Sequence, residues 1–180
     1  MFNQALLPLL KECVREINSF IHKIDDLTSC SLHTRNIFEL YLTLRHIGED
    51  ERALKSWIGQ SHKDSTDINE GFISLFKTRG LDTSELEDVQ IFTNESLEES
   101  PFESKGPFQV RNLAEKYGYL DDYMAVYKLS SKLIHPSSMK VNFYEALGEN
   151  NNFLKIVQQI GVHFSIKLEE LASELGEENA

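Results

Sequence analysis

The sequence predicts an all-α protein that folds as a single helical bundle. Apolar residues recur at intervals of three and four along almost the whole chain, and no segment shows the strict alternation typical of a half-buried strand. The chain has 180 residues, of which 41% are hydrophobic. This is enough for one core and too little for two full domains. We therefore expect one domain over residues 1–180, built around two long antiparallel helical hairpins.

Two long amphipathic segments predict the first hairpin. The first helix should cover residues 3–27, with Pro8 in its opening turn, where proline is tolerated. Thr28 or Ser29 should cap the second helix, whose apolar face continues to Gly48. A glycine at that point is typical of a helix that ends in the left-handed conformation.

The rest of the chain predicts a series of further helices separated by glycine and proline. Asp67 should cap one of them, Pro136 should end another, and residues 96–109 should form the one long loop. Residues 176–180 are expected to fray. The expected helices cover residues 49–59, 67–80, 83–93, 110–117, 120–134, 137–147 and 152–175.

Charge is distributed unevenly along the chain. The formal net charge is -11, and residues 64–103 alone hold eleven acidic residues against Lys77 and Arg79. We expect this part of the chain, about residues 64–109, to be an acidic helical excursion from the bundle. Residues 111–140 carry five basic and three acidic residues, so a small phosphate-facing patch is compatible with the sequence. The overall charge excludes a general nucleic-acid binder.

Several classes of protein are excluded by the absence of their motifs. No glycine pair has the spacing of a phosphate-binding loop, and the histidines lack metal-ligand spacing, so neither a cofactor nor a metal is expected. Cys13 and Cys30 are too few for a disulfide framework and lie among apolar residues, which favours reduced thiols in the cytoplasm. No segment approaches the length of a membrane span, and the first residues lack the pattern of a secretory signal.

A charged line on the second helix is the first candidate for chemistry. Arg35, Glu39 and His46 lie near one line of a helix that is otherwise apolar. One interpretation is an intrahelical ion pair between Arg35 and Glu39 at the edge of the core. The alternative is that Glu39 holds the guanidinium rigid so that it can bind an anion.

A second polar line ends at a histidine. Tyr127, Ser131 and His135 follow one another at intervals of four, and Pro136 ends the helix just where the imidazole is presented. Lys128 lies on the neighbouring line, where an ammonium group can stabilise charge on a phosphate. A structural role at the helix terminus and an acid–base role in a cleft are both compatible with His135.

These motifs resemble those of a family of uncharacterised bacterial helical proteins, itself similar to the HEPN superfamily. The resemblance lies in Arg35-x3-Glu39 and Tyr127-x3-Ser131-x3-His135-Pro136, and spans about residues 27–175. It implies a bundle that is usually a homodimer, in defence or toxin systems whose active members cut RNA without metal through Arg-x4-6-His. This chain has Lys128 where those members have arginine.

Three hypotheses of function follow. In the first, the protein is a metal-independent ribonuclease with His135 as acid or base, Lys128 or Arg35 stabilising charge, and Glu39, Tyr127 and Ser131 as orienting residues. In the second, it is a non-catalytic binding module that docks a basic protein partner through its acidic segment. A pocket for a small molecule between the two polar lines is a third alternative.

Overall fold

The computed structural model describes residues 2–100, 102, 106–149 and 151–178, and its regular structure there is entirely helical. The prediction of an all-α fold is therefore confirmed. In chain order the helices are α1 (Phe2–His22), α2 (Leu27–Glu49), α3 (Glu51–Thr78), α4 (Ser84–Glu98), α5 (Val110–Lys116), α6 (Leu120–Ile134), α7 (Ser138–Asn142), α8 (Tyr144–Glu149) and α9 (Asn151–Glu178).

The chain divides into two compact units. The bundle unit consists of Met1–Gly48 and Gln109–Ala180, and the acidic hairpin unit of Glu49–Phe108. The sequence places the start of the acidic excursion at residue 64, so the compact unit begins earlier in the chain than the run of acidic residues that predicted it.

In the bundle unit, α1, α2, α6 and α9 pack around a common core. The Thr34 hydroxyl donates to the Val157 carbonyl at 3.2 Å, and the rings of Phe38 and Phe164 meet edge to face with centroids 4.7 Å apart. The residue later in α2 contacts the residue later in α9, so these two helices run in the same direction. The fully buried large side chains of this core are Phe20, Ile37, Phe38, Leu42, Leu44, Ile47, Leu133, Phe164 and Leu168.

Gly161 marks the closest approach between the bundle helices. A Cβ at this position would lie 2.4 Å from Cε2 of Phe20 and 2.7 Å from the hydroxyl oxygen of Thr34. Both distances are too short for a real contact, so only glycine lets α9 lie this close to α1 and α2.

The acidic hairpin unit is formed by α3 and α4. Lys77 near the end of α3 forms an ion pair of 2.7 Å with Glu87 in α4, and Gly80 between them has a φ of 66°, in the left-handed region. Trp57 stacks on Phe108 with ring centroids 6.1 Å apart. These contacts hold α4 and the C-terminal end of the unit against α3.

The prediction of two short helices at residues 49–59 and 67–80 is wrong, because α3 is continuous. Asp67 is a mid-helix partner of Lys63, four residues earlier, and Asp50 is the cap that accepts a hydrogen bond from the Arg52 amide at 2.8 Å. The residues between the two expected helices are polar but compatible with a helix. Side-chain pairs four residues apart stabilise α3 through this segment.

Other boundaries differ for similar local reasons. Asp26 rather than Thr28 or Ser29 caps α2, accepting from the Ser29 amide at 2.7 Å. Hydrogen bonds from the Ser29 hydroxyl and from its amide lower the pKa of Asp26. Gly48 lies inside α2 without a positive φ. The glycine instead leaves room for Leu175, since a Cβ there would be 2.8 Å from that side chain.

Pro8 lies beyond the first turn of α1, since the helix begins at Phe2. At the other end of the chain, α9 continues to Glu178 through part of the expected tail at 176–180; residues 179 and 180 lie outside the described part of the chain. The segment 137–147 forms two short helices, and the loop expected at 96–109 begins later because α4 reaches Glu98.

The bounds expected from the strongest stop signals are confirmed. The helix predicted at residues 120–134 is α6, followed by Pro136, and Gly118 ends the preceding turn with a φ of 78°. Across the described residues, no helix combines the length and apolar character that a bilayer crossing requires.

Candidate functional site

The structure brings together three of the six predicted site residues. Arg35 Nε lies 2.8 Å from Glu39 Oε1 within α2, and the guanidinium carbon lies 4.2 Å from the centroid of the Tyr127 ring on α6. The Tyr127 hydroxyl donates to the same Glu39 oxygen. Arg35 therefore lies between a carboxylate and an aromatic face, with about a third or less of each ion-pair side chain exposed.

The electrostatics of this cluster favour a structural ion pair. Burial raises the pKa of Tyr127, and so does the hydrogen bond to the Glu39 carboxylate. Burial opposes the charge on Arg35, but the hydrogen bond to Glu39 raises the pKa of the guanidinium overall. The cluster consequently holds a charged arginine, a neutral phenol and one shared carboxylate. This is the edge-of-core ion pair considered for Arg35 and Glu39, with Tyr127 as a third member.

His135 lies elsewhere on the same helix as Tyr127. It follows Tyr127 by eight residues, about 12 Å along the α6 axis at 1.5 Å per residue. The histidine is the C-terminal cap of α6 and its side chain is exposed, without a hydrogen bond or ion pair to any described residue.

The expected orienting groups have other partners. Tyr127 donates to Glu39, and the Ser131 hydroxyl donates to the Lys128 carbonyl at 3.2 Å. Neither hydroxyl forms a hydrogen bond with the imidazole of His135. Lys128 has an exposed side chain that forms no ion pair with the described residues. The predicted catalytic groups are therefore divided: Arg35 lies in its ion-pair cluster, Lys128 lies within α6, and His135 lies at the C-terminal end of α6.

A small cavity lies close to that end of α6. It has a volume of about 200 Å³ and is lined by Asp25, Asp26, Leu27, Thr28, Leu133, Lys140, Tyr144, Leu147 and Leu154. The lining combines carboxylates, an ammonium group, hydroxyls and leucines. None of the six predicted site residues lines it.

Sequence reasoning did not identify a cluster of cations and tyrosines in the bundle unit. The Tyr41 and Tyr119 hydroxyls are 3.2 Å apart, Arg45 Nη1 is 3.3 Å from the Tyr41 hydroxyl, and Lys167 lies over the Tyr119 ring. Burial opposes ionisation of Tyr119, yet hydrogen bonds from Tyr41 and Lys167 lower its pKa. Burial and the Tyr119 hydrogen bond raise the pKa of Tyr41 to about 12.

The cluster continues to Tyr117. Its ring lies under the Arg45 guanidinium at 4.4 Å, and its hydroxyl accepts from Lys116 Nζ at 2.9 Å. The members come from α2, from the end of α5 and the turn after it, and from α9. These elements are far apart in sequence, so no local motif could have predicted this cluster.

The acidic hairpin unit encloses several polar atoms and exposes several large apolar side chains. Gln60 Oε1, Thr66 Oγ1, Asn69 Nδ2 and Gln90 Oε1 are enclosed with no hydrogen-bond partner among the described residues. Large apolar side chains are exposed instead: Ile68, Phe72, Leu75, Leu81, Val89, Ile91 and Phe92. The sequence did signal part of this arrangement, through the position of Ile68, Phe72 and Leu75 on one line of a helix.

Comparisons with protein-family models, with curated proteins and with solved structures found no match. The geometry of the described residues is therefore the basis for proposing a function. In that part of the chain no three His, Cys, Asp or Glu side chains are grouped closely enough to hold a metal ion.

Proposed function

We propose that the protein is a helical binding module whose acidic hairpin unit docks a basic amphipathic helix of a partner protein. The observation that carries this proposal is the set of large apolar side chains that the hairpin exposes, beside polar atoms that are enclosed without a hydrogen-bond partner among the described residues. Exposed apolar side chains grouped on one element are typical of interaction surfaces.

The spacing on α3 supports a helix as the partner. Ile68, Phe72 and Leu75 are exposed at positions i, i+4 and i+7, which place them on one line about 10 Å long. An amphipathic helix presents its own apolar residues at the same spacing, so the two lines can interdigitate. Val89 and Phe92 on α4 add a second exposed apolar pair, with Phe92 the more exposed of the two at 70%.

Charge supports a basic partner. Residues 49–108 contain fourteen acidic and six basic residues. The Lys55, Lys63 and Lys77 ammonium groups are already paired with carboxylates of the same unit. The remaining acidic surface would repel another acidic chain and steer a basic one toward the apolar lines.

Fluorescence anisotropy with a labelled peptide tests this proposal. The peptide is a helix with leucines at i, i+4 and i+7 and with lysines and arginines on its other faces. Its control has the same composition in scrambled order, which keeps the charge and removes the apolar line. We expect the amphipathic peptide to bind at least 10-fold tighter than its control, and the affinity to fall with added salt.

The variant Phe72→Ser/Phe92→Ser should remove this preference. Phe143→Ser is the matched control, because Phe143 is an exposed phenylalanine of the bundle unit. Equal binding of the two peptides, or an unchanged preference in the Phe72→Ser/Phe92→Ser variant, overturns the proposal.

Both free thiols, Cys13 and Cys30, are buried. We propose a cytoplasmic location on this basis, since free thiols persist in a reducing compartment.

A metal-independent ribonuclease is the second candidate function, and the exposure of His135 is the observation that favours it. The imidazole is accessible at the end of α6, on the same helix as the exposed Lys128 and Lys132. In this mechanism His135 accepts the proton of the attacking ribose 2′-hydroxyl as its oxygen bonds to phosphorus. The bond from phosphorus to the 5′-oxygen breaks, the leaving oxygen takes a proton from water, and Lys128 stabilises the charge on the phosphate. Arg35 remains with Glu39 and Tyr127.

Cleavage of a pool of structured RNAs in EDTA tests this second candidate. Loss of general acid–base catalysis typically costs about 10²- to 10⁴-fold in rate, so we expect His135→Ala to abolish detectable cutting. His163→Ala is the matched control, because His163 is an exposed histidine of α9. Absence of cutting by the wild-type protein, or equal cutting by His135→Ala, excludes this function.

A further inference from the structure

Helix α1 has two apolar faces, and only one of them is covered by the bundle unit. Leu6, Leu9, Cys13 and Phe20 form the covered face, each with 5% or less of its surface exposed. The second face carries Leu7, Val14 and Ile21, which are 52%, 60% and 56% exposed. The bundle core explains why the first face is apolar. It does not explain why the second, exposed face is also apolar.

The second face has the repeat of a helix that pairs with another helix. Leu7, Val14 and Ile21 are seven residues apart, and Leu10 and Ile17 lie between them at alternating intervals of three and four. This is the spacing of the two core positions of a heptad, in which each side chain inserts between residues of the opposing helix. We call the line formed by these five residues the α1 seam.

A groove beside the α1 seam provides space for incoming side chains. It has a volume of about 400 Å³ and an apolar lining formed by α1 and α9. The lining residues are Leu10, Cys13, Val14, Ile17, Asn18, Leu168, Glu169, Ala172 and Ser173. Three members of the seam line this groove, so the seam and the groove are continuous.

The charges around the α1 seam are suited to a second copy of the same chain. Helix α1 contains two basic and two acidic residues. Arg15 pairs with Glu12 at 2.6 Å, and Glu16 lies 2.7 Å from Nδ1 of His33 in α2. Glu169 is the charged residue of the groove lining, so the surface formed by α1 and the groove is close to neutral, and two copies of it repel each other less than two copies of the acidic hairpin unit would.

We infer that a second copy of this chain covers the α1 seam, so that two α1 helices pair about a two-fold axis. Identical heptad lines are self-complementary, as a two-fold interface requires. Each copy places its seam residues against the other seam and toward the groove beside α9. This interface is formed by the bundle unit and is independent of the partner proposed for the acidic hairpin unit.

Light scattering coupled to size-exclusion chromatography tests this inference. We expect the full chain to elute as a dimer at micromolar concentration and Val14→Glu to elute as a monomer. Val141→Glu is the matched control and should remain dimeric, because Val141 is 64% exposed on α7 and lies outside the seam. Circular dichroism confirms that each variant retains its helix content.

A second variant keeps the test informative if Val14→Glu does not fold. Leu7→Lys/Ile21→Lys changes the two ends of the seam at exposed positions and should raise the dimer dissociation constant at least 100-fold. A wild-type chain that is monomeric at 100-fold higher concentration than used for the first measurement overturns the inference. So does a dimer of unchanged affinity in either seam variant. If Val14→Glu instead weakens binding of the basic peptide, the seam belongs to that partner and the inference is wrong.

Discussion

Glu39 is the residue on which the best-defined polar cluster depends. Its carboxylate accepts from the Arg35 guanidinium and from the Tyr127 hydroxyl, so one side chain satisfies two groups at the edge of the core. An arginine held in this way by a carboxylate and an aromatic ring has little freedom to reach a ligand. The cluster is therefore better suited to fixing α6 against α2 than to binding an anion.

Replacing Glu39 tests that structural role. We expect Glu39→Gln to lower the free energy of unfolding by about 1–3 kcal/mol, because a half-buried guanidinium loses its carboxylate. Urea denaturation of the wild type, Glu39→Gln, Tyr127→Phe and the double variant measures the change and its coupling. Glu51→Gln is the control: Glu51 also pairs with a cation four residues away, but at an exposed site, and we expect no resolvable change. Independent effects of the Glu39 and Tyr127 substitutions would contradict a shared cluster.

At the level of the elements, the position of α9 depends on the absence of a side chain at Gly161. Phe20 from α1 and Thr34 from α2 occupy the space that a Cβ would need. The core of the bundle unit is therefore closest where these three helices meet, and the sequence pattern of α9 alone does not reveal this requirement.

A pair of glycine-to-alanine substitutions separates packing from helix propensity. Gly161→Ala should lower the free energy of unfolding by about 1–3 kcal/mol through overpacking. Gly71→Ala should raise it by about 0.5–1 kcal/mol, since Gly71 lies within α3 and nothing surrounds its Cβ position within 4 Å. Chemical denaturation measures both. Stabilisation by both substitutions would show that α9 can move away from Phe20, whereas Phe20→Leu should partly rescue Gly161→Ala.

How well each element was predicted depends on how local its signals are. Gly118 and Pro136 are unambiguous stops, so the bounds of α6 followed from the sequence. Asp67 was ambiguous, because an aspartate can cap a helix or pair with a lysine one turn earlier, and the second role continues α3. Gly48 was misread because a close approach by Leu175 leaves no trace in the local sequence.

In the candidate site, too, contacts within one helix could be predicted and contacts between helices could not. The ion pair of Arg35 with Glu39 could be predicted because both residues lie on one helix. The contact with Tyr127 could not, since the rotation of α6 relative to α2 is set by the whole core. For the same reason, the contact between Tyr41 and Tyr119 was invisible in the sequence.

On the scale of the whole molecule, buried groups that resist ionisation predict a sensitivity to alkali. Burial raises the pKa of the Cys13 thiol to about 12 and that of the Cys30 thiol to about 11, from an ordinary value of 9.0. Between pH 9 and 11 the unfolded chain therefore loses these protons while the folded chain keeps them. Folding then requires proton uptake. The contribution of these two thiols to the free energy of unfolding is therefore fully present below pH 9 and is lost as the pH rises.

Denaturation at a series of pH values measures this loss. Each thiol should lower the free energy of unfolding by up to about 1.4 kcal/mol per pH unit above pH 9, until the pH reaches its folded-state pKa. Cys13→Ala should reduce the slope against pH, although the cavity it creates also lowers stability at every pH. A slope that is the same in the wild type and in Cys13→Ala would contradict the prediction.

The division of the bundle unit into two stretches of chain has a consequence for the order of folding. Thr34 and Val157 are 123 residues apart in the chain, whereas α3 and α4 are consecutive. Contacts between distant residues close large loops and form slowly, while a helical hairpin forms from local contacts. During synthesis the acidic hairpin can therefore reach its native pairing before the core of the bundle unit is complete. The apolar faces of α1 and α2 stay unprotected until α9 leaves the ribosome, which makes the amino-terminal helices the segment with the longest need for a chaperone.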